Sequence, residues 1–266
     1  MGPLDGFAPR IASLVPSLTE LVCALGLGHR LVARTGYCIH PAEALAGVPK
    51  VGGTKDVNLA KLRRLAPTHV LVNIDENRRE TVEALREFVP QIIVTHPCGP
   101  RDSPALMAQM REAFGGEPGV HERALALEAD LAQALADCAP APGSAPGPAQ
   151  HVLYLIWRDP WMTVARDTYI ARMLVEVGWH TLPAVEGGPS GAARYPVVAG
   201  NEPWLAEVDR VLLSSEPYCF EAQHRAEAQA LCPRAQVQRV DGELLSWYGP
   251  RAAAGLRYLR GLAAQA

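Results

Sequence analysis

The apolar positions of this chain change period repeatedly, and the changes come in a regular order. Residues 11–15 (IASLV) form a short continuous apolar run, which reads as a buried strand. Leu18, Leu21, Val22 and Leu25 then fall three and four apart, the spacing of one helical face. Ser17 and Glu20 have the spacing of a capping box at the start of that helix. Gly26 and Gly28 are placed to end it, because glycine enters the left-handed turn without steric penalty. Residues 31–33 supply the next strand. A helix runs from Asn58 through Leu59, Leu62 and Leu65 to a stop at Pro67, and residues 69–73 form a strand. A helix over 78–88, a strand over 91–95 and a helix over 105–114 complete the first half.

Residues 120–138 are the longest helical stretch and contain neither Pro nor Gly, so the helix reads as straight and resists bending. It is followed by APAPGSAPGPAQ, whose Pro, Gly, Ala and Ser cannot pack as an element. The second half repeats the alternation. Strands are expected over 151–157, 211–214 and 236–240, and helices over 168–177, 220–231 and 250–262. Strands alternating with helices predict an α/β fold with parallel sheets. The division that follows is an N-terminal α/β lobe over residues 1–118, a connecting helix over 119–140 and a C-terminal α/β lobe over 141–266. No repeat is visible in the letters of the two halves.

Composition narrows the function classes. Hydrophobic residues make up 48% and charged residues 20%, with a net charge of -3 and a pI near 6.2, so no basic footprint points to nucleic acid. No apolar run reaches the roughly 20 residues that span a bilayer. The opening MGPLDGFAPR has neither a basic n-region nor an apolar h-region. As it stands the chain therefore reads as cytoplasmic, and as periplasmic if a signal was removed or the start lies elsewhere. Its six cysteines (Cys23, Cys38, Cys98, Cys138, Cys219, Cys232) are spread too widely for a small stapled scaffold.

Several motifs are excluded on their context. GLGHRL lacks the third glycine of a dinucleotide loop and follows a helix, and VGGTK is not a complete phosphate loop. There is no G-x-S-x-G, C-x-x-C or H-E-x-x-H. Two pairs carry soft ligands: Cys38 with His40 after the second strand, and His96 with Cys98 after the fourth. Residues two apart on extended backbone point the same way. Loops after parallel strands gather at one edge, so these four could converge on a metal. The second half places aromatic residues beside arginines in the same kind of loop. IWRDPWMTVARD carries Trp157, Arg158 and Trp161; SSEPYCF carries Glu216, Tyr218 and Phe220; SWYGPR carries Trp247, Tyr248 and Arg251. Such walls suit a flat apolar ligand with charged edges.

Taken together, the chain resembles the vitamin B12 and metal-chelate binding proteins of bacterial ABC importers, which have a helical backbone between two lobes. RIASLVPSLTELVCALGLGHRLVARTGYC is similar to that family's opening strand, turn, helix and second strand. VPKVGGTKDVNLAKLRRLAPTHVLVN resembles its next segment, and SWYGPR its aromatic loop before the last helix. The resemblance implies two parallel-sheet α/β lobes joined by one long rigid helix, with the ligand cleft between them. It implies a ligand-binding set of Ser17, Tyr37, Lys55 and Asp75 from the first lobe. Trp157, Arg158, Trp161, Arg194, Tyr218, Trp247 and Tyr248 complete the set. It implies no required cofactor and a corrinoid, haem or other metal chelate as ligand. In that family an acidic residue follows N-L and docks to the permease. Here Ala60 and Lys61 stand there, which argues against permease docking, with Glu243 the nearest acidic candidate on the second lobe.

Two other functions compete with chelate binding. One is an enzyme using Asp75, Glu216, His96 or His224 as acid or base, which needs a titratable group held against its substrate. The other is a metal-ion or haem chaperone using the Cys/His loops.

Overall fold

The computed structural model describes residues 8–139 and 149–265. The start of the chain and most of the Pro/Gly-rich run lie outside the described residues. Two compact units are present. The first takes the chain up to Pro97, with Arg101–Asp130 and Tyr248–Pro250; the second takes Cys98–Pro100, Leu131–Trp247 and the chain from Arg251 onward.

The first unit is built from β1 (Ile11–Ser13), α1 (Pro16–Ala24), β2 (Leu31–Arg34), α2 (Ala42–Leu45), α3 (Leu59–Arg64), β3 (His69–Asn73), α4 (Arg79–Leu85), β4 (Gln91–Thr95) and α5 (Ser103–Phe114). Its four strands are parallel in the order β2-β1-β3-β4. All five residues of β3 are buried, as expected of a central strand covered on both faces. Ala12, Leu14, Ala33, Val70 and Val72 pack with Leu62 and Leu85 in its core. Helix α1 departs from the expected start. Pro16 sits in its first turn with Val15 as N-cap, because proline lacks the N–H that a first helical residue leaves unpaired anyway. Ser17 is therefore inside the helix and buried, and makes no cap. Asn58 does cap α3, accepting the Lys61 N–H at 2.8 Å. Gly26 takes a φ of 82° just past α1.

Helix α6 (Val120–Cys138) is unbroken over 19 residues, and the partition between the units falls inside it. The second unit follows with β5 (Gln150–Leu155), β6 (Trp161–Met162), α7 (Tyr169–Val175), β7 (Trp179–Thr181), β8 (Val197–Val198), β9 (Arg210–Ser214), α8 (Ala222–Leu231), β10 (Gln236–Val240), α9 (Gly242–Ser246) and α10 (Ala252–Ala263). Its main sheet is parallel in the order β10-β9-β5-β7, and β6 pairs antiparallel with β8. Leu153, Leu155, Val211, Leu213, Phe220 and Val237 belong to its core.

Both sheets have a switch point, where the connections leave to opposite sides. In the first unit it lies between β1 and β3, in the second between β5 and β9. Ligands of open α/β sheets bind beyond the carboxyl ends of strands at such points.

Candidate functional site

In the first unit, the residues beyond β1, β3 and β4 form one polar network. The Asn77 side chain donates to Leu14 O at 3.3 Å and Thr54 O at 2.9 Å, and accepts the Asn73 N–H at 2.9 Å. One amide thus ties three loops together. Tyr248 is 5% exposed. Its hydroxyl is buried beside Ser17, Asn73 and Thr95, and burial, with the Glu76 charge, pushes the phenol well above its usual range. Lys55 Nζ donates to Asp75 O at 2.6 Å. Burial lowers the Lys55 ammonium from its usual value, against the opposing pull of Glu76 and Asp75. Asp75 Oδ2 lies 3.3 Å from His96 Nε2. Tyr37 is 65% exposed, and its ring rests on Gly53, where a Cβ would come within 3.3 Å of it.

In the second unit the aromatic residues form a connected wall. Trp157 meets Tyr218 edge-on at 5.5 Å, Tyr218 lies 4.9 Å from Phe220, and Trp161 stacks on Phe220 at 6.0 Å with planes 12° apart. Trp157 remains 41% exposed. Arg158 lies 4.5 Å over the Trp161 ring, donates to Glu227 Oε2 at 2.7 Å and pairs with Asp159. Behind the wall, Glu216 Oε1 accepts from Ser246 Oγ and Trp247 Nε1, each at 2.7 Å. Burial pushes the Glu216 carboxyl above its usual range, with those two donors pulling it back. Arg251 covers the Trp247 ring at 4.5 Å and donates to Glu243 at 2.6 Å.

Within each unit, therefore, the expected residues are largely brought together. Ser17 and Tyr248 meet, Lys55 and Asp75 meet, and Trp157, Arg158, Trp161 and Tyr218 share one wall. Arg194 differs. It is 1% exposed, donates to Gly188 O at 2.7 Å and Asp167 O at 3.2 Å, and lies 3.5 Å from the Asp167 carboxylate. Burial alone would raise Asp167, but the Gly187 N–H and Arg194 hold it below its usual range. Arg194 is thus engaged by Gly188, Asp167 and Cys98 of the protein itself.

The convergence of Cys38, His40, His96 and Cys98 is corrected. Among the described residues, no group of three or more His, Cys, Asp or Glu side chains is placed to hold a metal ion. The chain turns at Gly36 and Tyr37 rather than running on as a strand. Cys38 is fully buried, its sulfur 3.1 Å from the Thr35 hydroxyl. His96 faces Asp75, and Cys98 Sγ lies 3.7 Å from Arg194 Nη2. The sequence reading missed Asn77, Thr95 and Glu227, which hold the site rather than line it. Only their places at or just past strand ends, or on α8, could have pointed to them.

Two parallel-sheet units with polar and aromatic loops at their switch points define a two-lobe α/β binding protein. A family model described as periplasmic binding protein matches residues 11–208, and the chain belongs to that family, whose members are substrate-binding proteins rather than enzymes. The vitamin B12-binding protein of Pectobacterium carotovorum subsp. carotovorum (strain PC1) is 29% identical over 115 residues, 43% of this chain and 41% of that protein. The match thus spans less than half the length of that relative. An uncharacterised ABC transporter substrate-binding lipoprotein of Bacillus subtilis (strain 168) is 23% identical over 94% of this chain and 78% of its own length. Among solved structures, the periplasmic vitamin B12-binding protein of Vibrio cholerae superposes with a TM-score of 0.76 at 20% identity, covering 97% of this chain and 99% of that one. A periplasmic haem-binding protein from Pseudomonas aeruginosa gives 0.75 at 24% identity, over 96% and 92%. At these identities the superpositions speak for the fold. Among the described residues no helix is long and apolar enough to cross a membrane.

Proposed function

We propose that the chain binds a corrinoid, or a closely related planar metal chelate, as the substrate-binding component of an importer outside the cytoplasmic membrane. The observation that carries the reading is the wall of Trp157, Tyr218, Phe220 and Trp161 beyond the β5/β9 switch point. Stacked and edge-on rings offer a flat ligand a large apolar surface. In the first unit, Tyr37, with its exposed ring, and the polar set of Ser17, Lys55, Asp75 and Tyr248 are assigned as ligand contacts. Trp247 is assigned an apolar contact, because its indole N–H already serves Glu216.

Charge favours a corrinoid over haem. Arg158, Arg194 and Arg251 each face a carboxylate of the protein, namely Glu227, Asp167 and Glu243. The two propionates of haem call for cations to pair with, whereas the amide side chains of a corrinoid need walls and neutral hydrogen bonds. Calorimetric titration with cyanocobalamin, cobinamide and haemin tests this. Micromolar or tighter corrinoid binding is expected, with haemin weaker. Silence across the panel sinks the reading, and tighter haemin binding removes the corrinoid preference.

The partner in this reading is an ABC permease docked more weakly than is usual for the family. Ala60 is exposed at the start of α3 and Lys61 follows it, so arginines of a permease would meet no carboxylate there. An Ala60→Glu chain should bind a permease of this type more tightly than the parent in a pull-down. Equal binding would refute the inferred mismatch.

A further inference from the structure

The phenol of Tyr218 is held by a histidine whose tautomer the backbone decides. Helix α8 begins with a reciprocal cap in which the Glu221 side chain accepts the His224 N–H and the His224 ring receives the Glu221 N–H. That second bond is 2.7 Å long and ends on Nδ1. A backbone N–H can only donate, so Nδ1 carries a lone pair and the ring hydrogen of the neutral imidazole sits on Nε2. Nε2 lies 3.2 Å from Tyr218 Oη. The histidine is therefore the donor and the phenol oxygen the acceptor. Among the described residues the phenol makes no other hydrogen bond, so its own hydrogen is left to donate.

Packing fixes the arrangement. His224 is 6% exposed. Its ring stands edge-on to Tyr218 at 5.4 Å and to Phe220 at 5.6 Å. Tyr218 itself is only half-buried, beside the exposed face of Trp157. We propose that His224 is a positioning residue that makes Tyr218 a hydrogen-bond donor to an acceptor on the ligand, such as a side-chain amide carbonyl. This rests on the chelate-binding reading of the aromatic wall. His224 does not touch the ligand; it decides which way the Tyr218 hydrogen points.

A double-mutant cycle read by calorimetry with cobinamide and cyanocobalamin tests the proposal. Tyr218→Phe and His224→Leu are each expected to weaken binding about tenfold, the size of one hydrogen bond lost or left unaligned. The double variant is expected to lose no more than either alone. His224→Gln should keep parental affinity, since its carbonyl can accept the Glu221 N–H while its amide donates to Tyr218. A parent chain that binds while the two losses multiply in the double variant would overturn the proposal and leave the chelate reading standing. So would a Tyr218→Phe chain of parental affinity, which needs no His224 variant to fold. A parent chain that binds neither probe overturns both.

Discussion

Two glycines of α10 should respond to the same substitution with opposite signs. A Cβ on Gly255 would lie 2.0 Å from Leu244 O, 3.1 Å from Leu244 C and 3.2 Å from Met173 Cε. The nearest obstacle is backbone of α9 rather than the end of a flexible side chain. Restoring ordinary contact requires α9 and α10 to separate by roughly 1 Å or more. Such overpacking costs about 1–3 kcal/mol, with this site at the upper end. The better helix propensity of alanine returns at most about 1 kcal/mol. Gly255→Ala should therefore destabilise by about 2 kcal/mol. Gly261, two turns on, is exposed and has nothing within 4 Å of its would-be Cβ, so Gly261→Ala should stabilise by about 0.5–1 kcal/mol. Urea unfolding followed by tryptophan fluorescence suits the comparison. Trp157, Trp161, Trp179, Trp204 and Trp247 are all the tryptophans of the chain and all belong to the second unit, as does α10. With an m-value of about 2 kcal/mol/M, the two midpoints should part by about 1 M or more. Midpoints that move in the same direction would refute the close approach of α9 and α10.

Three further outcomes are expected. Because burial raises Glu216 in the folded state, its contribution to stability is complete below the ordinary carboxylate value of 4.5 and is lost as pH rises through the folded-state value; Glu216→Gln should remove that decline from a stability-versus-pH curve, and an unchanged slope would contradict it. Trp157→Ala should weaken corrinoid binding at least tenfold while costing about 1 kcal/mol or less in urea unfolding, and the reverse pattern would make Trp157 a packing residue. Maleimide labelling at pH 7.5 should reach the exposed Cys219 first, since burial holds the Cys23 and Cys232 thiols up at about 11; early labelling of Cys232 would refute the burial.

Much of the fold was legible from periodicity alone. Strands β3, β4 and β10 and helix α6 coincide with their expected limits, because each is an apolar or helical run bounded by Pro, Gly or charged residues. Strand β7 and the β6–β8 pair were not legible: they are two or three residues long, too short to display a period. The expected cap at Ser17 failed because Pro16 outcompetes it for the helix start. In the site, residue type and place after a strand pointed to the aromatic wall. They could not tell which polar groups are already engaged inside the protein. Arg158 and Arg194 look alike in sequence, yet one covers an indole and the other is buried against Asp167 and Gly188. The metal cluster failed for a related reason. Alternation along a strand says nothing once the backbone turns, as it does before Cys38.

Tyr248 carries a consequence for the order in which the molecule can be completed. It belongs to the first unit, and its hydroxyl meets Ser17, Asn73 and Thr95 there. During synthesis from the N-terminus those three neighbours leave the ribosome early, while position 248 emerges only after residues 131–247 of the second unit. Nascent chains stalled just before it hold a first unit that lacks one of its buried side chains. A gene fragment ending at Asp130 encodes the same unfinished unit. Separate production of that half therefore calls for the Tyr248–Pro250 segment to be grafted back. The chain reaches its finished first unit only once residues 131–247 of the second have been translated.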